Sequence, residues 1–353
     1  MSTPAFVLGG TGYVAGELLR LIASHPKFEL AAVMSDSQPG ERVAAAFPHL
    51  LSTLGEQRFV SEAELIGQLS QTPTSAVFGA APHGVSAALI DRLLDAATAA
   101  GVSARVVDIS ADFRYASAPA YAAVYAHEHG APQRLREFTC ALPEHLAMAP
   151  TPHIAHPGCF ATATLLASVP LLAFDLIEPT LFVSGITGST GSGRKPVEGT
   201  HHPLRHSDLY SYNALAHRHA PEITACAAAA SGVQAHFAFV PHSGPFARGI
   251  HVTVQAKLKA GVTLDQSSLL TRLRDYYANA PFVRISETAP RIKDVVASNY
   301  AHLSATSRGG TIAVMAVIDN LTKGAAGGGM QWMNRLFGWP ETLGLTAPAA
   351  GWT

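Results

Sequence analysis

One thiol stands where an extended stretch ends and a helix-like apolar pattern begins, in the run His156-Pro157-Gly158-Cys159-Phe160-Ala161-Thr162-Ala163-Thr164-Leu165-Leu166. The mouth of a helix offers unpaired N–H groups and the positive end of the helix dipole. Both favour thiolate over thiol, and the thiolate is the attacking species. Cys159 therefore has the type and place of a nucleophile; a small buried hydrophobe, the commonest use of a free cysteine, suits the same run. The densest cluster of titratable groups is His217-Arg218-His219-Ala220-Pro221-Glu222-Ile223. An imidazole titrates near neutral pH, so a histidine here could favour a neighbouring thiolate and shuttle a proton as general acid or base. A metal centre is discounted, because no Cys/His spacing of the zinc kind is present. The doublet His201-His202 reads as a solvated loop.

Two further groups of residues suit anions. The stretch Thr187-Gly188-Ser189-Thr190-Gly191-Ser192-Gly193-Arg194-Lys195-Pro196 combines glycine-permitted backbone N–H groups, hydroxyls and two cations. That set fits a phosphate, and it equally fits a mobile surface loop. Arg114, just past a strand in Ser110-Ala111-Asp112-Phe113-Arg114, and Arg248, before Gly249, are fork-shaped donors for carboxylate or phosphate. A structural ion pair is the competing use of each.

The elements that must position these residues begin with a strand, a glycine turn, a helix and a strand. Ala5–Leu8 leads into Gly9-Gly10-Thr11-Gly12-Tyr13-Val14-Ala15-Gly16, then Glu17–Ile22, then Phe28–Val33. Glycines at 9 and 12 allow a tight turn and close approach to a pyrophosphate at the helix N-terminus. The spacing is Gly-x-x-Gly-x-x-Ala and not Gly-x-Gly-x-x-Gly, yet its place after a strand and before a helix favours a dinucleotide over a bare turn. Strand patterns at 75–80 and 104–109, with the helix-like Val85–Ala99 between them, continue the alternation. The fold class expected is α/β, with a Rossmann-like doubly wound parallel sheet. After Cys159 the texture turns β-rich, at 181–186, 233–240, 249–254 and 311–317, which predicts a second, α+β domain with a mixed sheet. The domains are expected at 1–155 and 156–319. The last segment, about 320–353, is helix-like at Gln331–Phe337 after a glycine-rich loop and is expected to fold back on the first domain.

Composition bounds the partners. The 353 residues carry a formal net charge of −1, which offers no electrostatic footing for nucleic acid or an anionic membrane and favours a small-molecule partner. Three cysteines, Cys140, Cys159 and Cys226, make no disulfide framework and point to a reducing compartment, so a cytoplasmic location is expected. The amino terminus shows no signal-peptide pattern. The longest apolar stretch, 160–174, contains Pro170 and falls short of the ~20 residues that a membrane helix needs.

With these residues in view, the chain resembles the N-acetyl-γ-glutamyl-phosphate reductases of arginine biosynthesis, relatives of aspartate-semialdehyde dehydrogenase. The likeness runs through Gly9–Val14, Ala81-Pro82-His83-Gly84, Asp108–Arg114, His156–Ala163, His217–Ile223, Arg248-Gly249-Ile250, Ser298-Asn299, Asp319–Ala326 and Gly338-Trp339-Pro340-Glu341-Thr342, in that order. The resemblance implies Cys159 as nucleophile, a histidine of the pair His217 and His219 as acid/base, and NADPH on the first domain. It places Asn320 near the nicotinamide, and with the residues read above the expected cofactor set is Gly9, Thr11, Gly12, Tyr13, Val14, Ser35, Ser189, Gly191 and Asn320. It puts Arg114, Arg248 and Glu222 around the substrate's anionic groups, and it implies a homodimer or homotetramer. The reaction implied is reduction of an acyl phosphate to an aldehyde through a cysteine thioester. Same-chemistry reduction of a carrier-bound aminoadipyl phosphate, and a dinucleotide-binding redox regulator, are the alternatives. The chain departs from the common family pattern around Cys159, in the Thr187–Arg194 loop and at Gly327–Trp332, without removing a catalytic group.

One conflict concerns the nucleotide. Asp36 lies about 20 residues beyond the glycine turn, where a carboxylate bonds a ribose 2′-hydroxyl and repels a 2′-phosphate. Ser35, Ser37 and Arg42 would hold a 2′-phosphate if Asp36 points away, and the reading favours NADPH.

Overall fold

The computed structural model describes residues 2–351. The chain divides into two compact units. One takes the residues through Cys140, then Met148–His156 and Ala326–Leu345; the other takes Ala141–Ala147, Pro157–Ala325 and the residues from Thr346 on.

The first unit is built on strands β1 (Thr3–Leu8), β2 (Phe28–Met34), β3 (Phe59–Val60), β4 (Thr74–Gly79), β5 (Ser103–Asp108), β6 (Phe138–Cys140) and β7 (His153–Ala155). They form one sheet in the order β3-β2-β1-β4-β5-β7-β6, every pair parallel. The doubly wound sheet expected from the strand–helix alternation is therefore present. Ala5, Phe6, Val7 and Leu8 are all fully buried, as a parallel strand covered on both faces requires. Phe6 and Leu8 belong to the cluster that includes Leu89, Ile90 and Leu93 of helix Ser86–Ala100. Helix Tyr13–Ala23 packs on helix Gly327–Leu336, which lies on β5. The glycine-rich stretch before Gln331, expected to be a loop, is helical from Gly327. A Cβ on Gly329 would come 3.0 Å from Ile109 Cδ1, so glycine here allows close helix–sheet packing that overrides its low helix propensity.

Strand order reverses between β1 and β4, and the loops after these two strands meet. Gly9 has φ +79°, and a Cβ there would lie 2.4 Å from Ala81 Cα. Only glycine fits both the conformation and the approach.

The second unit has strands β8 (Ile177–Thr187), β9 (Tyr210–Ser211), β10 (His236–Ser243), β11 (Ile250–Leu258), β12 (Val283–Ile285), β13 (Ala301–Arg308) and β14 (Thr311–Ile318). Their order is β12-β13-β14-β11-β8-β10-β9, a mixed sheet with β10 parallel and β11 antiparallel to β8. Burial alternates along β8 from Leu181 to Gly185, inward at odd positions and outward at Phe182 and Ser184, the period of two of a half-covered strand. The covering element is helix Cys159–Ala173, which contacts β8, β11 and β14. Every residue from Phe160 to Leu172 is buried, so this helix, mostly apolar with Thr162, Thr164 and Ser168 among its buried residues, forms the core. A Cβ on Gly185 would reach within 2.6 Å of the Phe160 ring; the strand gives way there to the start of the helix. Among the described residues, no helix is long and apolar enough to cross a membrane.

Gly9→Ala is expected to lower stability by roughly 2 kcal/mol or more, since it combines a left-handed φ with a backbone collision. A urea titration of the purified variant against the parent measures it, and an unchanged midpoint would contradict the close approach of the two loops.

Candidate active site

Cys159 is the first residue of its helix, and Gly158 is the N-cap in an extended conformation, φ −63° and ψ 160°. No side chain caps the helix end. The peptide before the thiol is held from elsewhere: Gly158 N donates to Glu222 Oε1 at 2.5 Å. Glu222 is 1% exposed and sits in the first turn of helix Ala220–Ser231, whose N-cap is His219. One buried carboxylate thus joins the mouth of the cysteine helix to the turn that carries the histidines. The expectation had placed Glu222 against substrate; its Oε1 faces the Gly158 amide.

The two histidines form a packed pair, each 7% exposed. His217 Nδ1 accepts from the His219 amide at 3.1 Å, and the rings meet edge-on with centroids 4.7 Å apart. Both lie against Phe160, the residue after the thiol, at 5.7 and 6.5 Å. Phe239 and Tyr212 complete the wall around His217. Burial, and then the Arg218 cation, push the His217 pKa down to about 4, so this imidazole is neutral at neutral pH. With Nδ1 accepting an amide, its proton is assigned to Nε2. Tyr212 was not singled out in the sequence. Burial raises its phenol pKa, the Cys159 sulfur raises it further, and Arg218 and Arg205 act the other way.

A third segment closes on the thiol. Asp319, fully buried, accepts from the amides of Ala297, Leu321 and Thr322 and from Nε and Nη2 of Arg248, the latter two at 2.9 Å each. Arg248 Nη2 also donates to Thr322 Oγ1. The structural ion pair, one of the two uses open for Arg248, is the one its fork makes. Asn320 Oδ1 accepts from Gly249 N at 2.7 Å while its Nδ2 donates to Thr190 Oγ1 at 3.0 Å. The chain then makes one turn of π-helix, Thr322–Ala326, with Gly324 N bonded back to Asp319 O. A Cβ on Gly324 would lie 2.7 Å from Cys159 Cβ, so only glycine lets this turn pass over the thiol. The buried Lys323 beside it pairs with Glu144 at 2.5 Å.

The Thr187–Pro196 loop is less open to an anion than its composition suggests. The amides of Gly188, Ser189, Thr190, Gly191 and Gly193 are all bonded to carbonyls, those of Gly249, Phe246, Ala247, Gly188 and Thr190 in turn. The hydroxyl of Thr190 also donates to Ala247 O.

In the first unit, helix Tyr13–Ala23 begins at Gly12, extended at φ −79° and ψ 166°, with no side-chain cap. A Cβ on Gly12 would meet nothing within 4 Å, whereas one on Gly10 would strike Val33 Cγ2 at 2.6 Å. The turn is thus packed underneath and open where the helix N–H groups point, and it fits a dinucleotide pyrophosphate. Thr11, Tyr13 and Val14 are partly or well exposed at this mouth. Ser35, at the end of β2, is buried, with its hydroxyl 3.3 Å from that of Ser37; Asp36 between them is exposed. The motifs at 81–84 and 108–114 are laced together by a network that the sequence did not reveal. Asp112 accepts from the amides of Gly84 and Ala87 and from Tyr121 Oη. Asp108 accepts from Ser86 and Ser110, and burial beside Asp112 lifts its pKa to about 6. Arg114 is buried and gives Nη2 to the Ile109 carbonyl at 2.8 Å.

These features define a class of protein: a two-part dehydrogenase with a dinucleotide-type sheet and a cysteine at the head of a second, mixed-sheet unit. The sequence model described as "Semialdehyde dehydrogenase, NAD binding domain" matches residues 5–158, and that described as "Semialdehyde dehydrogenase, dimerisation domain" matches residues 159–320. Aspartate semialdehyde dehydrogenase II of Vibrio cholerae has the same fold, with a TM-score of 0.69 at 14% identity over 96% of this chain and 98% of that one. The Candida albicans aspartate semialdehyde dehydrogenase, solved with NADP, has a TM-score of 0.68 at 13% identity over 97% and 100%. Sequence relatives named N-acetyl-gamma-glutamyl-phosphate reductase are 37% identical in Pseudomonas aeruginosa and 36% identical in Methanopyrus kandleri. The alignments cover 97% of this chain in both and 98% and 97% of the relatives. The chain belongs to the N-acetyl-gamma-glutamyl-phosphate reductase family, and its first unit is of the family's nicotinamide-dinucleotide-binding kind.

Gly324→Ala is expected to cut turnover at least tenfold, because the new methyl displaces either the π-turn or Cys159. Nucleotide affinity, which rests on other residues, should change less than twofold. Steady-state kinetics with fluorescence titration of the nucleotide separate the two. The buried His153 and His217, both pushed to about pKa 4, add an acid sensitivity. The unfolded chain binds their protons below pH 6.5 and the folded chain does not until about pH 4. Stability should therefore fall as pH drops through that window, by up to about 3 kcal/mol for each histidine. Asp108, raised in the folded state, works against this below pH 6 but is one group against three, because burial pushes His145 to about 4 as well. Unfolding midpoints at pH 7 and pH 5 check the sign.

Proposed function

We propose that the chain reduces N-acetyl-γ-glutamyl phosphate to N-acetylglutamate 5-semialdehyde with release of phosphate, using NADPH and a thioester on Cys159. The observation that carries this reading is the thiol at an uncapped helix start, with a histidine pair bound to the same turn through Glu222.

The Cys159 sulfur attacks the acyl carbon, the S–C bond forms, and the C–O bond to phosphate breaks. This divides a difficult displacement into two easier steps. Gly9, Thr11, Gly12, Tyr13 and Val14 of the open glycine turn would hold a reduced nicotinamide cofactor, whose chemistry would be to supply the hydride for the acyl group. The C–S bond then breaks, returning thiolate and aldehyde. His219 takes the thiol proton and holds it near the acyl oxygen. His217 is too weak a base for that task at neutral pH, so its role is to orient His219 through the amide it accepts. Glu222 aligns the Gly158 peptide and so the direction of the helix start. Arg114 and Arg248 brace the loops that carry them, through the Ile109 carbonyl and through Asp319.

NADP over NAD is favoured by the hydroxyl pair of Ser35 and Ser37 and by the exposure of Asp36, which is free to turn from a 2′-phosphate. The chain works as a homodimer or homotetramer through its second unit, in the cytoplasm.

The test runs the reaction backwards, following absorbance at 340 nm with N-acetylglutamate semialdehyde, inorganic phosphate and either NADP or NAD. Phosphate-dependent reduction of NADP, at least tenfold more efficient than that of NAD, is the expected result. Folded, reduced protein that turns over neither nucleotide would overturn the reading. Cys159→Ser should lower kcat by about 10³-fold or more while leaving nucleotide binding intact. His219→Asn should lower kcat at least tenfold more than His217→Asn does, since the first removes the base and the second only its orientation.

A further inference from the structure

From Gly191 to Ala216 the chain is exposed or half-exposed at every position except Arg205, which is 8% exposed. Arg205 ends the single turn His202–Arg205 and drives its guanidinium inward. One terminal nitrogen donates to Ser243 Oγ and the other to the Gly244 carbonyl; Nε is buried with no acceptor. Both partners are neutral, and among the described residues no carboxylate stands within ion-pair reach of it. The other cations set into this unit are treated differently: Lys323 faces Glu144 and Arg248 faces Asp319. A buried cation without a counter-charge is unfavourable, and an arriving anion relieves it.

The register of the sheet says where that charge lies. Ser243 pairs with Thr187, two residues beyond Gly185 on β8, and alternate residues of a strand share a face. Gly185 is the residue that gives way to Phe160, so Ser243 and Thr187 look to the face on which the cysteine helix begins. Two strand residues span about 7 Å. Arg205 therefore holds its charge at the head of the Cys159 helix, carried by an otherwise exposed segment with little packing to resist a shift toward a ligand. Tyr212, whose phenol responds to both Cys159 and Arg205, lies between these influences.

We propose that Arg205 binds an anionic oxygen group of the substrate, either the carboxylate of the acyl chain or the phosphate, next to Cys159. This rests on the reading of the chain as an acyl-phosphate reductase. A guanidinium suits either group because its fork matches two oxygens at once. Neither composition nor spacing marks the residue, since its neighbours read as a solvated loop.

The reverse reaction separates the two anions, because the semialdehyde carries the carboxylate and inorganic phosphate is a separate reactant. Arg205→Gln should raise the KM of one of them at least tenfold, with the KM for NADP within twofold of the parent. A raised semialdehyde KM identifies the carboxylate, and a raised phosphate KM identifies the phosphate. Arg205→Lys, which keeps a cation in place of the fork, should raise the same KM by a smaller factor; if Arg205→Gln does not fold, this variant decides. Folded variants in which both anion KM values match the parent, or in which only kcat falls, would overturn the proposal and leave Arg205 a loop anchor. An inactive parent would instead overturn the functional reading itself, so the two failures are distinguishable.

Discussion

The hydrogen bond from the Gly158 amide to the Glu222 carboxylate is the contact on which the candidate site depends. It joins two helix beginnings that are 64 residues apart, one bearing the thiol and the other following the histidine pair. Each helix start alone is a loose end with unsatisfied N–H groups. Glu222 satisfies one donor at the cysteine helix while standing in the first turn of its own helix, where a negative charge complements the dipole. Because the carboxylate is almost wholly shielded from water, losing either partner would strand a buried polar group, so the two helix starts are held in one geometry.

Around that contact the second unit uses buried polar groups in pairs. Asp319 gathers three amides and an arginine fork, and this lets a stretch of chain turn back over the thiol as a π-helix. Asn320 spans Gly249 and Thr190, fixing the loop that follows β8. Single π-turns recur at functional sites because the extra residue per turn re-aims the backbone. Here the re-aimed backbone is Gly324, the one residue small enough to lie against Cys159.

Much of this was legible in the chain itself, and the part that was not has a common cause. The Pro157-Gly158 break before an apolar run marked the start of the cysteine helix, and the strand–glycine–helix order marked the parallel sheet. Both signals are local. Glu222 was noticed for its place in the histidine run, but its partner is a backbone amide, which leaves no trace in composition. Arg248 looked like an anion-binding fork until Asp319, 71 residues away, took it up. The amides of the Thr187–Pro196 loop were counted as free donors, and the returning chain at 246–249 satisfies several of them. The glycine-rich stretch before Gln331 reads as a loop, and the nearness of Ile109 to Gly329 is what lets it pack as helix. In each case the sequence displayed the group and concealed what it touches.

Helix Gly327–Leu336 also bears on how the chain can fold as it is made. A helix that opens with three glycines has little tendency to form alone, so its order comes from docking on β5. Those residues belong to the first unit, yet they are synthesised after nearly all of the second, which is inserted between the two ends of the first. The opening sheet must therefore wait on the ribosome with one side of β5 uncovered until residue 336 has emerged. Val107 and Ile109 gain the cover of Gly329 only then, which ties the completion of the first unit's core to the completion of nearly the whole chain.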